Sequence, residues 1–194
     1  MGFTRAELDA FRGGTLPDLL GDDVRLLIVG INPGLRTVAV QAHFGGGSNR
    51  FYPALYRAGI VDRRINATTG FTPADLAHLK KRGIGITSLV PRASARADEL
   101  DRAELLEGAR LLEEKVRAIR PGAVAMLGIT AYRAAFQRPK AVAGLQPDTI
   151  AGVPLWVVPN PSGLNAHSSV DDLAAAYREA AIAAGVDVYD QPVL

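Results

Sequence analysis

The sequence predicts a three-layer α/β/α sandwich around a mostly parallel sheet of four to five strands. Short apolar runs bounded by turn residues, at 25–30, 84–90, 123–128 and within 152–159, read as strands covered on both faces. Segments of helical periodicity separate them, and strands alternating with helices build βαβ units with right-handed crossovers. Two loops, Gly30-Ile31-Asn32-Pro33-Gly34 and Asn160-Pro161-Ser162-Gly163-Leu164, directly follow the first and last of these runs. In a parallel sheet both lie at the carboxyl edge, where open α/β sheets place their ligands.

Taken in order, Thr4 and Glu7 have the spacing of a capping box, and Phe3, Leu8 and Phe11 anchor a short first helix that ends near Gly13-Gly14. The first strand is 25–30, and 31–48 reads as a long loop. Asn49 can cap a helix in which Phe51, Leu55 and Tyr56 share a face, and Thr72-Pro73 starts another that runs to Arg82-Gly83. After the strand 84–90, Leu105, Leu106, Ala109, Leu112, Val116 and Ile119 mark a long amphipathic helix between Asp101 and Arg120, stopped by Pro121-Gly122. The strand 123–128 leads to a helix around 130–136. Ser169 caps the final helix, with Asp171 and Asp172 at its positive end and Gly185 beyond the other. Residues 186–194 read as a loosely held tail.

At 194 residues and 48% hydrophobic, the chain is expected to form one domain over 1–194, with a core of about 24–185. Its longest apolar runs fall far short of the roughly 20 residues that cross a bilayer, and the N-terminus has no signal-peptide pattern. A soluble, cytoplasmic, bacterial-type protein follows, with no membrane partner. The absence of cysteine excludes thiol nucleophiles and thiolate metal sites, and three scattered histidines argue against zinc, so neither metal nor cofactor is expected. The net charge is only +2, but no Asp or Glu occurs in 24–61, 76–97 or 149–170. These windows hold strand ends, loops and Arg36, Arg50, Arg92 and Arg96. Either an edge cleared of carboxylates suits a polyanion, or loops rich in Gly, Pro and Ala lack acids by composition.

Asn32 offers both an acceptor and a donor, so it can hold a water or read a heterocycle edge, or else satisfy its own turn. Pro33 fixes that turn and Gly34 leaves open space. Phe44, in a loop beside Gly45-Gly46-Gly47-Ser48, is either a stacking face for a planar ligand or a core anchor. Leu164 is either a wedge that parts stacked bases or a hydrophobic staple on the last helix. His43 and His167 have catalytic readings, with plain hydrogen bonding as the alternative. The Ser162-Gly163 pair lacks the pattern of a nucleophile elbow, which disfavours a hydrolase triad.

Together these motifs resemble the uracil-DNA glycosylase superfamily, specifically its mismatch-specific uracil/thymine branch. Gly30 to Leu35 is similar to the branch's first motif and Asn160 to Leu164 to its second, with Phe44 and Asn49-Arg50-Phe51 at the expected places between them. The resemblance implies an enzyme that flips a damaged or mispaired pyrimidine out of duplex DNA and hydrolyses its N-glycosidic bond. The partner would be double-stranded DNA bearing G·U or related mispairs, and the protein a monomer. By carry-over, Asn32 positions the attacking water, with Asn160 beside the flipped nucleotide. Ile31, Gly34, Phe44, Asn49 and Ser88 surround the base. Ser162, Gly163, Asn165, Arg50 and Arg92 contact DNA, and Leu164 fills the vacated stack. Gly34 falls where strictly uracil-specific relatives carry a bulky aromatic, which implies tolerance at the pyrimidine 5-position. The chain departs from the pattern at His43, at Ser88 and at Asn165-Ala166-His167. Asn32 is no strong general base and no lysine lies in either motif, so a slow, monofunctional enzyme is expected. The alternative is a non-catalytic nucleotide- or phosphate-binding domain on the same sheet edge.

Overall fold

The buried apolar residues of the central strands divide between two cores. The computed structural model describes residues 2–190. Five strands, β1 (Leu26–Gly30), β2 (Ile84–Ser88), β3 (Ala123–Leu127), β4 (Gly144–Ile150) and β5 (Val153–Val158), form one sheet in the order β2-β1-β3-β5-β4. The β1–β2, β1–β3 and β3–β5 pairs are parallel. Leu26 and Ile28 enter one core with helices α3 (Phe51–Arg57), α4 (Pro73–Lys81) and α7 (Val170–Ala183). Leu27 and Val29 enter the other with α5 (Arg102–Ile119) and α6 (Ile129–Ala135). Alternate residues of one strand thus bury on opposite faces, which is why β1 and β3 read as unbroken apolar runs. The result is the expected three-layer α/β/α sandwich.

Thr4, Thr72 and Ser169 cap as expected, each accepting a backbone N–H in a reciprocal capping box, and Asp101 with Glu104 does the same for α5. Asn49 does not cap α3: Arg50 takes the N-cap position, and Asn49, one residue earlier, accepts the Phe51 N–H. Gly108 lets α5 approach the sheet, since a Cβ there would lie 2.6 Å from the Leu89 carbonyl oxygen.

Three segments differ from expectation. Leu35–Val40 forms a helix, α2, inside the stretch read as loop; Leu35 and Val38 pack on Ala93, Leu8 and Phe11, the latter two carried by α1 (Arg5–Asp9) and the turn after it. The edge strand β4 carries Pro147 and three exposed positions in succession, so it lacks an apolar run or clean alternation. A two-residue turn at Ala151-Gly152, both at positive φ, pairs it antiparallel with β5, and the register shifts around Pro147. The C-terminal segment is docked as far as Tyr189. Val186 is buried, the Tyr189 N–H donates to the Gly59 carbonyl (2.8 Å), and Arg82 lies over the Tyr189 ring at 4.4 Å. The rest of the expected tail, 191–194, lies outside the described residues.

Candidate functional site

From β1 the chain crosses to β2 on one side and later returns to β3 on the other. The carboxyl ends of these strands therefore surround a topological switch point. A cavity of about 690 Å³ opens there, reached by the first loop, the Phe44 loop and the second loop.

Parallel pairing continues past the formal ends of β1 and β2. The Leu89 N–H donates to the Gly30 carbonyl (2.8 Å), Val90 to Ile31 (2.9 Å) and Ser94 to Pro33 (3.2 Å). This lays residues 89–94 along the first loop and fixes Asn32. Its Nδ2 donates to the Arg92 carbonyl (3.0 Å) and to Ser94 Oγ (2.8 Å), while Ser94 Oγ donates to the Arg96 carbonyl (2.6 Å). Both partners accept, so only the amide nitrogen can face them. Oδ1 is left without a protein donor among the described residues. A Cβ at Gly34 would meet only Thr37 Oγ1, at 3.9 Å, so the floor beside Asn32 is open as expected.

Phe44 takes φ +56°, a left-handed conformation that costs a bulky residue about 1–3 kcal/mol. Its neighbours impose it. His43 is buried with Nε2 2.9 Å from the Pro17 carbonyl, and the His43 carbonyl accepts from the Tyr52 hydroxyl (2.8 Å). Because Pro17 can only accept, Nε2 carries the proton. Burial holds the His43 pKa below the ordinary histidine value against the opposing pull of the Pro17 carbonyl and Asp18, so the ring is neutral at pH 7. The Phe44 ring lies 4.0 Å from the buried Phe51 ring and is partly exposed on the cavity wall. It is therefore both anchored and presented. Asn49, whose Oδ1 accepts from the Phe51 N–H (2.9 Å), and Ser88, at the end of β2, line the same space.

In the second loop, Asn160 Oδ1 accepts from the Ser162 N–H (3.0 Å) and the Asn160 carbonyl from Asn165 Nδ2 (2.9 Å). The Tyr177 hydroxyl of α7 donates to the Pro159 carbonyl (3.0 Å), and burial raises its pKa. The turn throws Leu164 outward: it is 80% exposed, so it does not staple the last helix. His167 is exposed, its N–H donating to Asn165 Oδ1 (3.2 Å).

Residues 17–183 match the sequence model of the uracil DNA glycosylase superfamily, and that span holds all three loops. The chain belongs to the uracil DNA glycosylase superfamily. Membership supports DNA glycosylase activity. The fold is similar to the solution structure of a candidate uracil DNA glycosylase from Methanosarcina acetivorans, with a TM-score of 0.53 and 18% identity over 86% of this chain and 97% of that one. At that identity the likeness is one of fold.

Of the residues singled out in this glycosylase, Ile31, Asn32, Gly34, Phe44, Asn49 and Ser88 line the cavity, together with Asn160 and Ser162 to Asn165. Arg92 and Arg50 do not. Arg92 forms a two-point ion pair with Glu104, whose carboxyl it holds down at about 2 with help from the Asp101 backbone. Its side chain therefore braces the start of α5, while its carbonyl serves Asn32. Arg50 turns onto the carbonyls of the second loop. Arg36 donates to the Thr68 carbonyl and Arg96 pairs with Asp98, so the four arginines singled out in the acid-free windows are all engaged within the protein.

The cleared edge is also corrected, because Asp9 and Asp98 line the cavity. Asp9 ends α1 and Asp98 lies in the 3₁₀ turn Ala97–Glu99, and both positions fall outside those windows. Arg5 of α1 lines it too, exposed and without an ion-pair partner among the described residues. Sequence reasoning missed Ser94 and this N-terminal wall. Ser94 is 62 residues from Asn32 and carries no local motif; only the continued strand pairing brings it there. Gly13 and Gly14, which precede the span matched to the glycosylase family, exchange backbone hydrogen bonds with Ala93 (2.9 and 2.8 Å) and so hold the 92–94 brace from behind.

Proposed function

We propose that this protein is a monofunctional glycosylase of the mismatch-specific branch, acting as a monomer in the cytoplasm. Its substrate is uracil, and at lower rate thymine or 3,N4-ethenocytosine, opposite guanine in duplex DNA; its product is an abasic site. The observation that carries this reading is Asn32 Oδ1, the free acceptor of an amide locked by the Arg92 carbonyl and Ser94 Oγ. Asn32 lines the cavity that Phe44 also lines. An acceptor so held orients a water by taking a hydrogen bond from it.

In the reaction the C1′–N bond breaks with its electron pair going to the base. The water oxygen bonds to C1′, and the water proton passes to solvent or to the departing base. The anionic base is stabilised by donors fixed in advance, among them the backbone N–H groups of the first and Phe44 loops. The Phe44 ring supplies stacking, worth about 1–3 kcal/mol per base. The open floor at Gly34 favours tolerance of a substituent at the pyrimidine 5-position. Extrusion costs less from a wobble pair than from a Watson–Crick pair, which favours mispaired substrates.

The reading is tested with duplexes carrying one G·U, A·U, G·T or G·ethenocytosine pair, followed by alkaline cleavage of abasic sites. Strand breaks are expected first at G·U. Binding without a break on any duplex, at enzyme excess, removes it in favour of a non-catalytic binder.

Ser94→Ala tests the brace. Losing one of the two acceptors frees the amide to rotate, and the single-turnover rate should fall about three- to tenfold, the worth of one hydrogen bond. Duplex affinity should hold. Equal losses in rate and affinity would assign Ser94 to DNA binding.

A further inference from the structure

Arg50 is hydrogen-bonded to the second loop and the turn that follows it through both its backbone and its guanidinium. Its own N–H donates to the Pro161 carbonyl (3.0 Å), and Nη2 donates to the carbonyls of Ser162 (2.8 Å) and Asn165 (2.6 Å). Nη1 donates to the Ser168 carbonyl. One guanidinium thus gathers three carbonyls from the 162–168 turn, and among the described residues no carboxylate pairs with it. With these carbonyls turned inward, Leu164 is left pointing out at 80% exposure. The residue after Arg50 is Phe51, fully buried, whose ring backs Phe44 at 4.0 Å. Adjacent residues therefore hold the base platform and the exposed loop. The two loops also abut at a second point, where a Cβ on Gly163 would lie 2.7 Å from Ser48 Oγ and 3.1 Å from the Ser48 carbonyl oxygen.

We propose that Arg50 is a positioning residue, a latch that presets the Leu164 loop against the Phe44 platform, and that it does not bind a DNA phosphate. The inference rests on the reading of Leu164 as a wedge. A wedge ordered before DNA arrives costs no ordering entropy on binding, and its position relative to the extruded base is set by the protein alone. The planar fork of arginine is required, because an ammonium cannot meet carbonyls in this arrangement with the same geometry.

The test compares wild type, Arg50→Lys and Arg50→Gln on a G·U duplex and on single-stranded uracil DNA, with the salt dependence of duplex binding. A latch predicts that both variants lose about tenfold or more on the duplex, stay within about twofold on the single strand, and keep the wild-type salt slope. A phosphate contact predicts that Lys retains activity and that Gln lowers the slope by about one, which would overturn the proposal. Equal loss on both substrates would also overturn it. Gly163→Ala leaves Arg50 in place but forces the loops apart at Ser48, so it should show the same duplex-selective loss; unchanged duplex activity would count against the latch. Hydrogen exchange of the 162–168 amides separates this inference from the proposed function. In Arg50→Lys it should quicken about tenfold whether or not the protein cleaves DNA, and wild-type rates would overturn the latch.

Discussion

Replacing Asn32 with alanine lowers the single-turnover rate of uracil release by about 10³-fold, within the range for loss of a group that orients a reacting proton or water. Affinity for a G·U duplex stays within about twofold of wild type. The size of the effect follows from how Asn32 is held. The amide makes two hydrogen bonds behind the loop, at 3.0 and 2.8 Å, so Oδ1 cannot trade places with Nδ2 without setting acceptor against acceptor. The site therefore loses a fixed acceptor, and a water in the enlarged space has no preferred orientation toward C1′. Alanine leaves the backbone pairing of Val90 with Ile31 and of Ser94 with Pro33 intact, so the loop keeps its course. Single-turnover kinetics with a binding titration checks the split. Retained activity would remove Asn32 from the mechanism, and a parallel loss of affinity would make it a binding residue.

Leu164→Ala should reduce activity on a G·U duplex by about tenfold to a hundredfold and leave single-stranded uracil DNA within about twofold. Burying a leucine side chain is worth about 1.5–3 kcal/mol, and opening a stacked pair costs a few kcal/mol. A side chain that fills the vacated space offsets much of that cost only when there is a stack to fill. The residue contributes little to the folded protein, being 80% exposed, so the variant should melt with wild type. The fluorescence of a 2-aminopurine beside the uracil reports extrusion directly and should rise less on binding. Equal losses on the two substrates would argue against a wedge.

The strands, their order of appearance and the caps were legible because each is written locally. β1 and β3 alternate between two cores and so must be apolar throughout, and Thr4 with Glu7 and Thr72-Pro73 mark helix starts within four residues. β4 was not legible, since its pairing comes from a turn and from the free edge of β5, while its own residues include Pro147 and exposed polar positions. The partners of the arginines were not legible for a related reason. Arg92 finds Glu104 twelve residues on, across the start of α5, and Arg50 finds carbonyls more than a hundred residues away, so an acid-free window in sequence did not mean a free cation in space.

By itself the sequence determined the layer architecture and the loops that line the cavity, because periodicity, capping and Asn-Pro turns act over a few residues. Only the tertiary structure decided which atom of Asn32 is free, that Phe44 is anchored as well as presented, that Leu164 points outward, and that Arg50 grips a loop. Each of these depends on carbonyls and rings brought close by strand pairing and helix packing. A backbone carbonyl is the same in every residue, so it leaves no trace in sequence until the fold places it.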